Sequence, residues 1–239
     1  MTDMSRIQKQ VLYQRMVVLC EQATEYGALI NGLCLIKGSQ LEWDEVGDTR
    51  DGTTLLMWMV RDSRLNLASA IVIMSCVVDT RDNDGNTALS HAVNANNMGA
   101  AVLLLTQNAM INACNKGGDY PLAYAVYRQN RHMVQFLLMG GARVLDGKAL
   151  HLAASHPAIF SDLVRDLTLE TKYTSMDVDQ IVNAQTTFCD VHGQYHNLWD
   201  YMPFPRSEPP KAALHETAMG LMRARGIEPC FKEPYMLTL

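Results

Sequence analysis

D-N-D-G-N-T-A-L-S-H-A, from Asp82 to Ala92, and N-K-G-G-D-Y-P-L-A-Y-A, from Asn115 to Ala125, are two copies of one pattern. The first copy closes with L-L-T-Q-N-A (Leu104 to Ala109) and the second with L-L-M-G-G-A (Leu137 to Ala142). Thr87 and Tyr120 hold the same place 33 residues apart, and one more step of 33 back lands on Thr54 in D-G-T-T-L-L (Asp51 to Leu56). A fixed period decides the fold before any local reading, because each unit leaves one side apolar and only stacking buries it.

The period marks three units, at 48–80, 81–113 and 114–146. Gly52, Gly85 and Gly118 supply positive φ for a tight turn. The threonine two residues later is placed to cap a first helix, its hydroxyl accepting from a free amide of the first turn. Ala92 and Ala125 are small enough to let two helices approach. Leu104-Leu105 and Leu137-Leu138 put large apolar groups on the inner side of a second helix. Gly141 suits the left-handed residue that ends it.

These units resemble ankyrin repeats, whose turn is built on D-x-x-G-x-T-P-L-H-x-A-A and whose second helix ends in V-x-x-L-L-x-x-G-A. The second unit matches through Asp82, Gly85, Thr87, Leu89, Ala92, Leu104, Leu105, Ala109 and Asn112. The third matches through Gly118, Pro121, Leu122, Ala125, Val134, Leu137, Leu138, Gly141 and Ala142. The first keeps Gly52, Thr54, Leu56, Ile71, Val72 and Asp79 but has Met59 and Val60 where the family has paired alanines. The resemblance implies an all-α solenoid of stacked helix-turn-helix units with short β-hairpin fingers.

Outside the regular centre the pattern degrades. K-A-L-H-L-A-A (Lys148 to Ala154) starts a fourth unit, 147–185, five residues early, so the turn before it is lost and Leu145-Asp146-Gly147 does its work. Its second helix is expected over 157–169, and Asp177 to Gln185 reads as an inter-repeat linker. D-V-H-G (Asp190 to Gly193) restores a turn pattern. Pro203, Pro205, Pro209 and Pro210 then force a non-helical excursion. Residues 186–239 are read as a modified fifth repeat with this insert, a helix over 211–225 and a C-terminal cap. Residues 1–47 match no unit and are read as an N-terminal helical cap. Its first helix covers 5–26, with Ile7, Val11, Leu12, Met16, Leu19 and Cys20 on one side, and its second apolar run covers 28–36.

Composition limits the function classes. Of 239 residues, 48% are hydrophobic and 19% charged, as in an ordinary globular chain. The net charge of −5 argues against a nucleic-acid binder, which shows a basic patch or stripe. No apolar run reaches bilayer-spanning length and Met1 to Gln10 lacks the order of a secretory signal, so a cytosolic location, the chain's own or a host's, is expected. The six cysteines are scattered, as free thiols in a reducing compartment are.

Candidate chemistry is sparse. Cys189, His192 and His196 stand in a C-x2-H-x3-H spacing that zinc uses. Asp190 and Gly193 belong to the turn pattern there, and no second tight pair accompanies them, so no metal or cofactor is expected. His151 is read as structural. Trp58, His91, Tyr124 and Leu152 share one repeat position, which in the family packs against the adjacent repeat. No nucleophile elbow or phosphate loop occurs, and no enzyme is expected.

The resemblance implies binding of another protein through the variable turn positions and those after the alanine pair. The first set gives Arg50, Asp51, Thr53, Asn83, Asp84, Asn86, Lys116, Gly117 and Asp119, and the second Arg61, Asp62, Asn94, Ala95, Tyr127, Arg128, Ser155 and His156. Tyr and Arg dominate interface hot spots, which puts Arg61, Tyr127 and Arg128 first. The departures from consensus suit a single-purpose binder of bacterial, viral or effector type that inhibits or tethers its partner. Two other readings stay open here: a metal-bound or enzymatic appendage over 186–239, and self-association through Trp199, Tyr201 and Phe204.

Overall fold

The structure is a computed structural model and describes residues 6–22, 27, 47–64, 68, 77–145, 147–153, 156–167, 172–183, 220, 223–224 and 226. Its contacts divide into two units, Met1–Tyr124 and Ala125–Leu239. The described secondary structure is helical. No strand occurs among the described residues, so the expected β-hairpins are seen as closed turns, with one isolated bridge between Gly47 and Thr54.

The first unit contains α1 (Arg6–Gln22), α2 (Leu55–Arg61), α3 (Ala88–Asn94) and α4 (Met98–Thr106). Helix α5 (Pro121–Tyr127) crosses the boundary between the units. The threonines cap as expected: the Thr54 hydroxyl accepts from Met57 N–H and the Thr87 hydroxyl from Ser90 N–H. Leu55 to Val60 are buried on every side of α2, which packs against α1 and α3. Ala92 and Ala125 are fully buried, and α3 packs directly on α4. Of the paired leucines, Leu104 and Leu137 are fully buried while Leu105 and Leu138 are half-buried.

Helix α1 departs from the expected face. Leu12, Tyr13, Met16 and Cys20 are buried, but Ile7 and Val11 are exposed. The reason lies at its N-terminal end, where Arg6 donates to the Thr49 carbonyl and Gln10 Oε1 accepts from Thr49 N–H and Oγ1. These bonds set the roll of the helix and turn the Leu12/Met16/Cys20 stripe inward. Burial pushes the Cys20 thiol up, so this buried cysteine is a packing residue with little thiolate character.

Asn97 joins two repeats. Its Oδ1 accepts from Ala100 N–H at the start of α4 (3.0 Å), and its Nδ2 donates to the Val60 carbonyl at the end of α2 (2.7 Å). Asn97→Ala removes a helix cap and an inter-repeat bond together. The expected cost is about 1–1.5 kcal/mol, near the usual value of an N-cap with its partner. Urea unfolding of the two proteins checks this.

The second unit contains α6 (Arg131–Met139), α7 (Gly147–Ala153), α8 (Pro157–Leu167) and α9 (Ser175–Asn183). Helix α8 packs on α6 and α7, and α9 packs on α7. Helix α9 corrects the linker reading of Asp177 to Gln185. Thr174 Oγ1 accepts from Asp177 N–H while Asp177 Oδ2 accepts from Thr174 N–H, a reciprocal cap of the first turn. Val178 and Ile181, three apart, are buried on one side.

Ahead of α7, a side chain satisfies a buried backbone amide. Val144 N–H donates to Tyr173 Oη (2.7 Å), and Tyr173 Oη donates to Asp166 Oδ2 (2.8 Å). Lys172 Nζ donates to both oxygens of Asp166 (2.8 and 2.9 Å). The Arg143 guanidinium lies 5.2 Å from the Tyr173 ring centre. Burial, reinforced by the neighbouring Asp166, pushes the Tyr173 phenol up, so it keeps its proton. The second apolar run of the N-terminal cap lies outside the described residues. So do the Pro-rich insert, the Cys189/His192/His196 spacing and nearly all of 186–239.

Candidate protein-interaction surface

Three turns in the first unit are built alike. In the second, Asp82 N–H donates to the Asn86 carbonyl (3.0 Å) and Gly85 N–H to the Asp82 carbonyl (3.0 Å). In the third, Asn115 N–H donates to the Asp119 carbonyl (2.9 Å) and Gly118 N–H to the Asn115 carbonyl (3.1 Å). The first is one residue longer: Asp48 N–H donates to the Thr53 carbonyl and Gly52 N–H to the Asp48 carbonyl (both 2.8 Å). Thr49 stands at the repeat position of Asp82 and cannot reach as an aspartate does, so Asp48 supplies the carboxylate. Each turn glycine has positive φ, at +76°, +84° and +77° for Gly52, Gly85 and Gly118.

A polar side chain fills each turn. Asp82 Oδ1 accepts from Asp84 N–H (3.0 Å) and Asn86 N–H (2.7 Å), Asn115 Oδ1 from Asp119 N–H (2.8 Å), and Asp48 Oδ1 from Arg50 N–H (2.9 Å). The hydrogen bonds from Arg50 hold the Asp48 carboxyl down at about 2. A folded pKa below the ordinary carboxylate value of roughly 3.9 contributes stability that is complete above that value and lost as pH falls towards 2. Asp48→Asn is therefore expected to flatten the acid limb of the stability profile between about pH 4 and 2, and pH-dependent urea unfolding reads it. An unchanged limb refutes that role.

The turns are also bonded to one another. Asn83 N–H donates to the Asp51 carbonyl and Lys116 N–H to the Asp84 carbonyl, both at 2.8 Å. Asn83 Nδ2 adds a bond to the Arg50 carbonyl (3.0 Å), and Arg81 reaches the Cys114 carbonyl. Glycine is required at these junctions for space as well as for φ. A Cβ on Gly52 would lie 2.9 Å from Asn83 N, and a Cβ on Gly85 would lie 2.9 Å from Lys116 N.

The shared position after the threonine slot behaves differently from the packing expected of it. Trp58 is buried. His91 instead donates from Nε2 to Asp82 Oδ2 (2.8 Å), which also accepts from Asn86 Nδ2 (3.2 Å). Tyr124 donates from Oη to Asn86 Oδ1 (3.0 Å) and accepts from Asn115 Nδ2 (2.9 Å). Burial pushes the Tyr124 phenol up, keeping it a donor. These two side chains fasten the second and third turns from below.

The candidate contact residues sort accordingly. Arg50, Asp51, Asn83, Asp84 and Lys116 are exposed at the tips of the bonded turns. Asn86 and Asp119 are half-buried and belong to the turn framework. Arg61 and Asp62 are exposed at the end of α2, where Asp62 lies 3.9 Å from Arg64, and Asn94 is half-buried at the end of α3. In the second unit Tyr127 is 66% exposed, and the exposed Arg128 guanidinium stands 6.0 Å from its ring centre. His156 is half-buried, its carbonyl accepting from Phe160 N–H in α8.

One cluster escaped the sequence reading. Buried Asp162 accepts from Arg131 Nε (2.6 Å), Gln135 Nε2 (2.9 Å) and Arg165 (2.8 Å). The Arg131 bond, aided by Gln135, holds its carboxyl below the usual range. The signal was D-L-V-R-D, which sets Asp162 and Asp166 four apart on one helical side. Among the described residues no group of His, Cys, Asp or Glu is arranged to hold a metal ion. None of their helices is long and apolar enough to cross a membrane.

Residues 89–138 match the family model of ankyrin repeats in many copies. This stretch of the chain is made of ankyrin repeats. The matched span runs from Leu89 in α3 through the third turn to Leu138 in α6, the stretch where the period is most regular. Ankyrin repeats generally mediate protein–protein interaction, and the family is typically non-enzymatic. Among curated proteins none matches this sequence.

Proposed function

We propose that this ankyrin-repeat protein is a non-enzymatic module that binds another protein and inhibits or tethers it. Its repeats stack as a solenoid, and contact is made by the turn tips and by the residues that follow each first helix. The observation that carries this reading is the construction of the turns. Their interiors are closed by Asp48, Asp82 and Asn115, successive turns are joined through Asp51 and Asp84, and the tips project Arg50, Asp51, Asn83, Asp84 and Lys116 to solvent. A surface ordered before it meets its partner loses little conformational entropy on binding. Tyr127 and Arg128 add an exposed aromatic–guanidinium pair of the kind that dominates hot spots.

The test uses the partner that the intact chain captures from cells that express it. Tyr127→Ala and Arg128→Ala are each expected to weaken that complex about tenfold or more, or about 1.4 kcal/mol. Titration calorimetry reads the loss, and unchanged affinity in both variants would sink this choice of contact residues.

A further inference from the structure

We propose that the outer edge of the third turn, at Gly117 and Gly118, is a docking edge for the extended backbone of a partner protein. The inference deepens the protein-binding reading above and rests on it. Its source is the way the first two turns are occupied. In each, the turn glycine has a φ near +80° and leaves a gap where its Cβ would be. A backbone N–H from the next turn comes to 2.9 Å of that point and donates to the preceding carbonyl, Asp51 in one case and Asp84 in the other.

The third turn repeats the construction. Gly118 has φ +77°, and Gly117 holds the position of Asp51 and Asp84. Among the described residues no heavy atom lies within 4 Å of the Gly118 Cβ point. Among the described residues, no backbone N–H donates to the Gly117 carbonyl. Lys116, Gly117 and Gly118 are exposed, whereas Gly85 is buried under the third turn. The sequence explains the difference, since the five residues that would form a fourth turn are missing before Lys148. The other end of the row is covered by Arg6 and Gln10 of α1 on Thr49.

The occupant follows from continuity with the two junctions already formed. It must offer a peptide N–H to the Gly117 carbonyl and bring its backbone against a glycine without a side chain between them. An extended or turning segment of another protein does both, as in recognition by strand addition.

A random-peptide library displayed on phage, panned against the intact chain, supplies the probe. Selected peptides are then titrated against wild type, Gly118→Asn, Gly117→Asp and Tyr127→Ala. Asparagine tolerates left-handed φ, as Asn96 and Asn108 do here at +59°, so Gly118→Asn keeps the turn while filling the edge. The proposal expects peptides that bind Gly118→Asn about tenfold or more weakly than wild type, the loss of one backbone hydrogen bond plus exclusion. Binding to Gly117→Asp should be nearly unchanged, because Asp84 accepts the same bond in the second turn. If Gly118→Asn melts early, shifts of the Gly117 and Gly118 amide signals of wild type on adding the peptide decide the matter.

No selected peptide, or selected peptides indifferent to Gly118→Asn that leave both amides unmoved, overturns the edge. Peptides lost on Tyr127→Ala alone would leave the general binding reading standing and this one refuted. Self-association that Gly118→Asn abolishes, with no peptide selected, would assign the edge to a second copy of the chain and overturn the partner assigned here.

Discussion

Gly85→Ala is expected to destabilise the protein by about 3 kcal/mol, and Gly118→Ala by only about 1, although the two glycines hold the same position in successive turns at nearly the same φ. Each alanine carries the left-handed penalty of roughly 1–2 kcal/mol. At Gly118 that is the whole effect, since no atom of the described residues lies within 4 Å of the new methyl. At Gly85 the methyl would lie 2.9 Å from Lys116 N and 3.2 Å from Lys116 Cγ. The side chain can swing aside, but the backbone cannot move without breaking the 2.8 Å bond from Lys116 N–H to the Asp84 carbonyl. Urea unfolding monitored by circular dichroism measures both costs. Equal losses in the two variants would mean that the turns are independent of one another.

Tyr173→Phe has the next largest expected effect, about 2 kcal/mol. The ring still fills its site, so no cavity forms. What is lost is the hydroxyl that accepts from Val144 N–H and donates to Asp166. Val144 is fully buried, so its N–H becomes an orphan donor and carries a desolvation cost of roughly 1–3 kcal/mol. Asp166 is less affected because Lys172 holds both of its oxygens. A loss under a few tenths of a kcal/mol would show that the Tyr173 hydroxyl does not hold the Val144 backbone in place.

The period made the centre of the molecule legible, and the reasons are local. Glycine at positive φ, threonine at the helix start, alanine between helices and leucine at the core each answer to one steric or hydrogen-bond demand. Gly85, Thr87, Ala92 and Leu104 all meet it in the structure. The misreadings came where a demand was met from elsewhere. Asp177 to Gln185 matched a linker in pattern, while the Thr174–Asp177 cap and the Val178/Ile181 side made it α9. The period broke before Lys148, yet Tyr173, 29 residues beyond Val144, gave no hint that it would satisfy the backbone there. His91 and Tyr124 occupy a packing position, and their polar ends could be assigned to Asp82 and Asn86 only with the turns in place. For the candidate contact residues, sequence offered positions alone; structure separated the exposed tips from Asn86 and Asp119, which hold the framework.

The central claim is that the turns form a bonded row that is rigid before any partner arrives, with an open end at the third turn. Native-state amide exchange followed by NMR tests it most directly. Asn83 and Lys116 N–H, exposed-tip residues whose amides point into the neighbouring turn, should exchange far more slowly than Gly117 N–H, and Gly85→Ala should release Lys116. Exchange of Asn83 and Lys116 as fast as that of Gly117 would contradict the account.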